Sequence, residues 1–275
     1  VSAHRIEAVL KTDTSIEAVK DGIKLDDIST IRFEHVTFAY PDGEEPVLKD
    51  ISFEVHKGEK IAFIGSTGSG KSTLINLLPR FYDVSQGQIL IDGIDLRDLS
   101  LTAWRSMIGM IAQKANLFTG TIADNIRFGK EDASEAEIIH AAKVAQAYDF
   151  ISEKPNGFDE YLSEGATNLS GGQKQRLSIA RALVRKPKVY VFDDSFSALD
   201  FKTDAKLRSA LAAETKEAIT MIVAQRIATI MDADQIIVLH EGKQVGCGTH
   251  RELLASCSIY YEIAASQLSE EELKL

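Results

Sequence analysis

The chain has 275 residues, 44% of them hydrophobic, and a formal net charge of −10, so it can bury a sizeable core, while its acid excess argues against nucleic acid as the main partner. Cys247 and Cys257 are too few and wrongly spaced for a zinc site or a disulfide framework, which points to a reducing compartment. No run approaches the roughly 18 apolar residues of a membrane-spanning helix, and the N-terminus lacks a charged-then-apolar signal segment, so the chain as it stands is expected to be soluble.

In chain order, His4 to Leu10 has helical spacing with no core of its own to face, as the end of a longer helix would. Ile31, Phe33, Phe38 and the run Ile51 to Val55 alternate as strands about a turn at Pro41, Asp42 and Gly43, which predicts an antiparallel opening. Lys60 to Ile64 is a short apolar strand leading into a glycine-rich loop, and Ser72 to Arg80 has helical character. From about 115 to 183 the pattern is mostly helical, with Ser134 and Glu137 at capping-box spacing before an apolar-periodic run. Val189 to Phe192 predicts a fully buried strand, Asp200 to Glu214 a helix, and Ala218 to Val223 and Gln235 to Leu239 two further strands. Strands alternating with helices imply a mostly parallel sheet covered on both faces. The tail from Arg251 to Leu275 reads as helical and ends in the acidic run Ser269 to Glu272, a solvated terminus.

The loop Gly65, Ser66, Thr67, Gly68, Ser69, Gly70, Lys71, Ser72, continued by Thr73, has the spacing of a phosphate-binding loop between a strand and a helix. Its glycines reach backbone angles closed to other residues, so that successive N–H groups can point inward and cradle the β- and γ-phosphates of a nucleotide. The N-terminus of the following helix favours negative charge, Lys71 offers a full positive charge to the γ-phosphate, and Ser72 offers a hydroxyl to Mg²⁺. Asp193, at the end of a buried strand, fits the carboxylate that would hold the cation through water.

Further motifs carry a resemblance to a known family. Leu169, Ser170, Gly171, Gly172 and Gln173 form a signature, Gln113 with Leu117, Phe118, Asn125 and Ile126 resembles a Q-loop and its continuation, and Ser197 to Asp200 resembles a D-loop. With Tyr40 in the place of an adenine-stacking aromatic, the chain from Thr30 to about Gln267 resembles the nucleotide-binding domain of an ATP-binding-cassette exporter. The resemblance implies an α/β fold: a P-loop NTPase (RecA-like) core with a mostly parallel sheet, an antiparallel β subdomain and a helical subdomain inserted at about 115–183. It implies that 1–29 is the tail of a preceding transmembrane-domain helix or linker, and 268–275 an acidic tail. It implies ATP and Mg²⁺ as ligands, with Ser72, Gln113 and Asp193 on the metal. It also implies a head-to-tail dimer in which Ser170, Gly171, Gly172, Gln173 and Asp200 act on the nucleotide of a partner domain. Transmembrane domains and a place at the cytoplasmic face of the plasma membrane come with it.

The sequence departs from that pattern where hydrolysis would be carried out. Asp194 stands where the family places a Glu that polarises the attacking water, and Gln225 stands where it places a switch His; none of the six histidines is at that position. A general base must come within about 2.6–3.2 Å of its proton, and a side chain one methylene shorter retracts its carboxylate by on the order of 1 Å, a loss of roughly 100-fold. Gln225 can donate a hydrogen bond to a phosphate oxygen but cannot carry positive charge. Upstream of the signature, Ser163, Glu164, Gly165 and Ala166 replace Gly-Glu-Arg-Gly, which removes an arginine from a loop directed at the transmembrane coupling elements. The combination resembles the degenerate subunit of a heterodimeric, multidrug-type exporter, which binds ATP well, hydrolyses it poorly and lends its signature to a partner's site. The alternatives are a slow homodimeric exporter ATPase and a cassette ATPase outside transport; the latter calls for a long coiled-coil insertion or a basic face, and the sequence shows neither.

Overall fold

The computed structural model describes residues 6–7 and 16–274. The helical segment expected at 4–10 lies outside the described residues, Ile6 and Glu7 excepted. The strands are β1 (Thr30–Phe38), β2 (Leu48–His56), β3 (Lys60–Ile64), β4 (Gln86–Ile91), β5 (Ile94–Asp95), β6 (Ile108–Ile111), β7 (Gly120–Thr121), β8 (Tyr161–Leu162), β9 (Val189–Asp193), β10 (Ile219–Val223), β11 (Gln235–His240) and β12 (Lys243–Gly248). The helices are α1 (Lys71–Leu77), α2 (Leu101–Ser106), α3 (Ile122–Arg127), α4 (Glu135–Val144), α5 (Tyr148–Ser152), α6 (Gly171–Leu183), α7 (Phe201–Glu214), α8 (Ile227–Ile230), α9 (His250–Ser256) and α10 (Ser258–Ala265).

A ten-stranded sheet runs in the order β5-β4-β1-β2-β12-β11-β3-β10-β9-β6. The half from β11 to β6 is parallel, whereas β1 pairs antiparallel with both β2 and β4. The two halves meet where β12, antiparallel to β11, pairs in parallel with β2 at Lys243 and Lys49. Because side chains alternate across a strand, the central strands feed two cores. Ile61 and Phe63 of β3 join the cluster that includes β1, β2 and Leu74, Ile75 and Leu77 of α1; Ala62 and Ile64 join the cluster under the helices from α3 to α10. Burial of both faces explains why β3, β9 and β10 read as continuous apolar runs.

Local signals set the helix boundaries. Ser134 and Glu137 form a capping box at α4, as do Thr121 and Asp124 at α3 and Thr249 and Glu252 at α9. The helix expected over Ser72 to Arg80 stops at Leu77: Leu78 still has helical angles (φ −64°, ψ −49°), but Pro79 has no N–H to carry the hydrogen-bond ladder on, and the turn that follows puts Arg80 at φ +53°. The buried Trp104 of α2 fastens that turn by donating its indole N–H to the Leu78 carbonyl at 2.6 Å.

The tail differs from the single helix expected for it. Cys257 adopts extended angles (φ −123°, ψ 104°) and separates α9 from α10, and the His250 ring nitrogen and Tyr260 hydroxyl, 2.7 Å apart, hold the two helices together. The acidic run is a capped turn in which Glu272 accepts from the Ser269 amide and hydroxyl at 2.8 Å each.

Candidate nucleotide site

The register of the parallel strands converges on one edge. Val223 of β10 is aligned with Phe63 on one side and Asp193 on the other, so the glycine-rich loop, the Asp193–Asp194 pair and the segment 224–226 leave the sheet side by side at the carboxyl ends of their strands. Ligands of open α/β sheets bind at such an edge. The resulting cleft is lined by Val47, Thr67, Gly68, Gly70, Lys71, Ser72, Thr73, Gln113, Asp193, Asp194, Val223 and Gln225.

The loop turns at Gly68 (φ +81°), where a Cβ would meet no atom within 4 Å. Conformation rather than space therefore requires glycine there. Lys71 bends back over the loop, and its Nζ donates to the Gly65 carbonyl (2.8 Å), the Ser66 carbonyl (2.7 Å) and Ser69 Oγ (3.2 Å). All three acceptors are neutral, and burial lowers the pKa of the ammonium despite the nearby Asp194 and Asp193 charges. A half-buried cation with only neutral hydrogen-bond partners suits an anionic ligand.

Ser72 Oγ donates to Asp193 Oδ1 at 2.9 Å. Burial raises the Asp193 carboxyl above its ordinary range, and the Asp194 charge adds to the effect, while Ser72 and Lys71 oppose it. A bound cation would relieve that desolvation, and a hydroxyl with a carboxylate is a donor set that suits Mg²⁺. Tyr40 stands at the edge of the loop, its hydroxyl 3.0 Å from Thr73 Oγ1, with Phe38 and Tyr82 edge-on to its ring at 5.0 and 5.2 Å.

Asp194 carries the site's one left-handed backbone among the cleft's non-glycine residues (φ +46°). Its N–H donates to the Val223 carbonyl at 2.9 Å, and its own carbonyl accepts from Ser197 Oγ at 2.8 Å. Two side-chain amides converge on a single carboxylate oxygen: Gln113 Nε2 donates to Oδ2 at 3.1 Å and Gln225 Nε2 at 2.8 Å. Burial raises the Asp194 carboxyl, and the hydrogen bond from Gln113 counters it.

The signature residues lie elsewhere. Ser170 is the N-cap of α6 and forms a capping box with Gln173, whose backbone N–H it accepts at 3.2 Å. A Cβ on Gly172 would come within 3.1 Å of the Ala198 carbonyl, so glycine lets α6 lie close against 197–200. Asp200 caps α7 by accepting from the Thr203 N–H at 3.0 Å. Ser170, Gly171, Gly172, Gln173 and Asp200 do not line the cleft that holds the glycine-rich loop.

Sequence reading overlooks two neighbours. Arg226 donates to the carbonyls of Ser197 (3.1 Å) and Leu199 (3.4 Å) and stacks over the Phe201 ring at 5.1 Å; its place beside Gln225 is the only signal for it. Ser195, fully buried, donates to the Ile111 carbonyl at 2.9 Å and ties the end of β9 to β6.

Comparison with known proteins agrees with this geometry. The family model described as ABC transporter matches residues 48–197. A Staphylococcus aureus protein that carries a multidrug export ATP-binding/permease name is 46% identical over 237 residues, 86% of this chain and 41% of its own length. The Bacillus subtilis ABC transporter ATP-binding protein YfiB is 45% identical over 271 residues, 98% of this chain and 47% of its own length. A solved bacterial Atm1-family ABC exporter with ATP bound superposes at a TM-score of 0.92 and 38% identity, covering 97% of this chain and 47% of that one. This chain thus spans less than half the length of the relatives it matches. Its fold and its motifs, matched over 150 residues from 48 to 197, place it in the ABC transporter family, as an ATP-binding domain homologous to those of multidrug exporters.

Proposed function

We propose that this chain is the ATP-binding domain of an exporter in which its own composite site hydrolyses ATP poorly and its signature completes the site of a partner domain. The observation that carries the reading is the engagement of Asp194: both Gln113 and Gln225 donate to Oδ2, so the shortened carboxylate meets protein amides where a general base would meet water. Lys71, the N–H groups of the loop from Gly65 to Thr73 and Tyr40 would bind the triphosphate and the adenine. Ser72, Asp193 and Gln113 would hold Mg²⁺. The cation would supply charge neutralisation to the phosphates, while Lys71 orients them and Gln225 donates without carrying charge.

The intact Ser170, Gly171 and Gly172, placed away from this chain's own cleft, support action on a second domain's nucleotide. Transmembrane domains would accompany the chain, consistent with relatives more than twice its matched length. The cytoplasmic face of the membrane is the corresponding location. The substrate carried would be recognised outside this chain.

The test is a paired restoration. In the assembled transporter, with the partner's own catalytic carboxylate disabled, Asp194→Glu with Gln225→His should raise phosphate release by roughly one to three orders of magnitude, with neither single change reaching that level. Unchanged release in the double variant would refute the impaired-site reading.

A further inference from the structure

The segment that carries Gln225 is held from outside the nucleotide cleft. Gln267, just past α10, spans the backbone on either side of Arg226: its Nε2 donates to the Gln225 carbonyl at 2.8 Å and its Oε1 accepts from the Ile227 N–H at 2.8 Å. Arg226 is extended (φ −100°, ψ 127°), and one side-chain amide satisfies both flanking backbone groups as a neighbouring strand would. Gln267 is itself fixed, since its N–H and that of Leu268 both donate to the Ala264 carbonyl at 2.9 and 2.8 Å, and Leu268 packs on the core beneath α9 and α10.

From that held segment, two side chains leave in different directions. Gln225 reaches Asp194, and Arg226 reaches the carbonyls of Ser197 and Leu199 in the segment against which Gly172 packs. We propose that Gln267 is a positioning residue, through which the C-terminal helix pair sets the placement of Gln225 on its own site and, through Arg226, of residues 197–200 toward the partner's site. The proposal rests on the functional reading above for what those two groups do, and on this geometry alone for the clamp.

The test uses the assembled transporter carrying this chain. Gln267→Met removes donor and acceptor at nearly constant volume. Hydrogen exchange at the Ile227 amide should rise by about tenfold while exchange across 250–260 stays unchanged, and kcat should fall by about threefold to tenfold at unchanged KM for ATP, about the net worth of one of the two hydrogen bonds lost. Gln267→Glu keeps the acceptor for Ile227 N–H and loses the donor to the Gln225 carbonyl, so it should retain the Ile227 protection and fall between wild type and Met in kcat. If Arg226 carries the effect, adding Gln267→Met to Arg226→Met should cost less than about twofold more.

An unchanged kcat in Gln267→Met would overturn the proposal, as would a fall in kcat accompanied by faster exchange throughout 250–260, which marks general loosening of the helix pair. Failure of the impaired-site reading is seen separately, in the Asp194→Glu with Gln225→His experiment, where the Gln267 amide is intact.

Discussion

Gln225 Nε2 lies 2.8 Å from Asp194 Oδ2, with the Gln113 amide on the same oxygen at 3.1 Å. The left-handed backbone of Asp194 is pinned on one side by the Val223 carbonyl and on the other by Ser197 Oγ. Under the proposed reading, the neutral amide of Gln225 and the short carboxylate of Asp194 would act as a matched pair, since the acid ends where both glutamines reach it. Asp194 and Gln225, two positions that look independent in the sequence, form one hydrogen-bonded unit, so the proposed impairment would be relieved only by changing both.

Lys71 offers the cleanest test of the loop. Its ammonium donates to two carbonyls and a hydroxyl, and burial already lowers its pKa, so a phosphate would give it its first charged hydrogen-bond acceptor. Lys71→Ala should weaken MgATP binding by about 1.5–3 kcal/mol, the worth of a charge-assisted hydrogen bond, or roughly tenfold to a hundredfold in Kd. Titration calorimetry reads it directly, and undiminished binding would remove the loop from the nucleotide site.

How much of this was legible in the sequence divides along the range of the interactions. The strands β3, β9, β10 and β11 were readable because burial on both faces writes itself as an uninterrupted apolar run, and the caps at Ser134 and the loop at Gly65 to Ser72 are local spacings. β12 was not, since its sequence from Lys243 to Gly248 holds two glycines and a half-exposed pattern, and it is a strand because β11 pairs with it along most of its length. β6 escaped for a related reason: four residues with a glycine carry little signal until β9 supplies a partner. The break at Cys257 follows from packing α10 back onto α9, which helical periodicity through that region does not register. In the site itself, the residue types at Asp194 and Gln225 were legible and their mutual contact was not. Gln267 reaches the 225–227 backbone across about forty residues, without any spacing rule that would announce it.

Stability should respond to acid through Glu137. Lys130 at 2.6 Å, with the Ser134 amide and hydroxyl, holds this carboxyl down at about 2, against 4.5 ordinarily. The folded-state pKa is depressed, so the unfolded chain binds the extra proton first as pH falls. The contribution is complete above about pH 4.5 and is lost as pH drops toward 2. Glu137→Gln should lower the thermal midpoint at pH 7 and flatten its fall between those pH values, as followed by circular dichroism. A variant whose midpoint fell in parallel with wild type through that window would show that Glu137 is not the group responsible.

The last prediction separates what this chain does for itself from what it does for a partner. Ser170 caps α6 beside Gly171 and Gly172, outside the cleft that holds Lys71 and Asp194, so a nucleotide meeting this helix end would have to be presented by another domain. Ser170→Arg puts a long side chain at that helix end and should prevent the two domains from closing, abolishing most ATP hydrolysis of the assembly while leaving MgATP binding at this chain's own loop intact. Asp194→Asn keeps an oxygen that can accept from Gln113 and Gln225, and if this site contributes little hydrolysis, as proposed, most of the turnover should remain. Both variants are assembled with an unaltered partner and compared by steady-state phosphate release. Were Asp194→Asn to abolish turnover as completely as Ser170→Arg, this chain would be a principal catalyst, and the impaired-subunit reading would give way to a homodimeric ATPase in which Asp194 serves as the base.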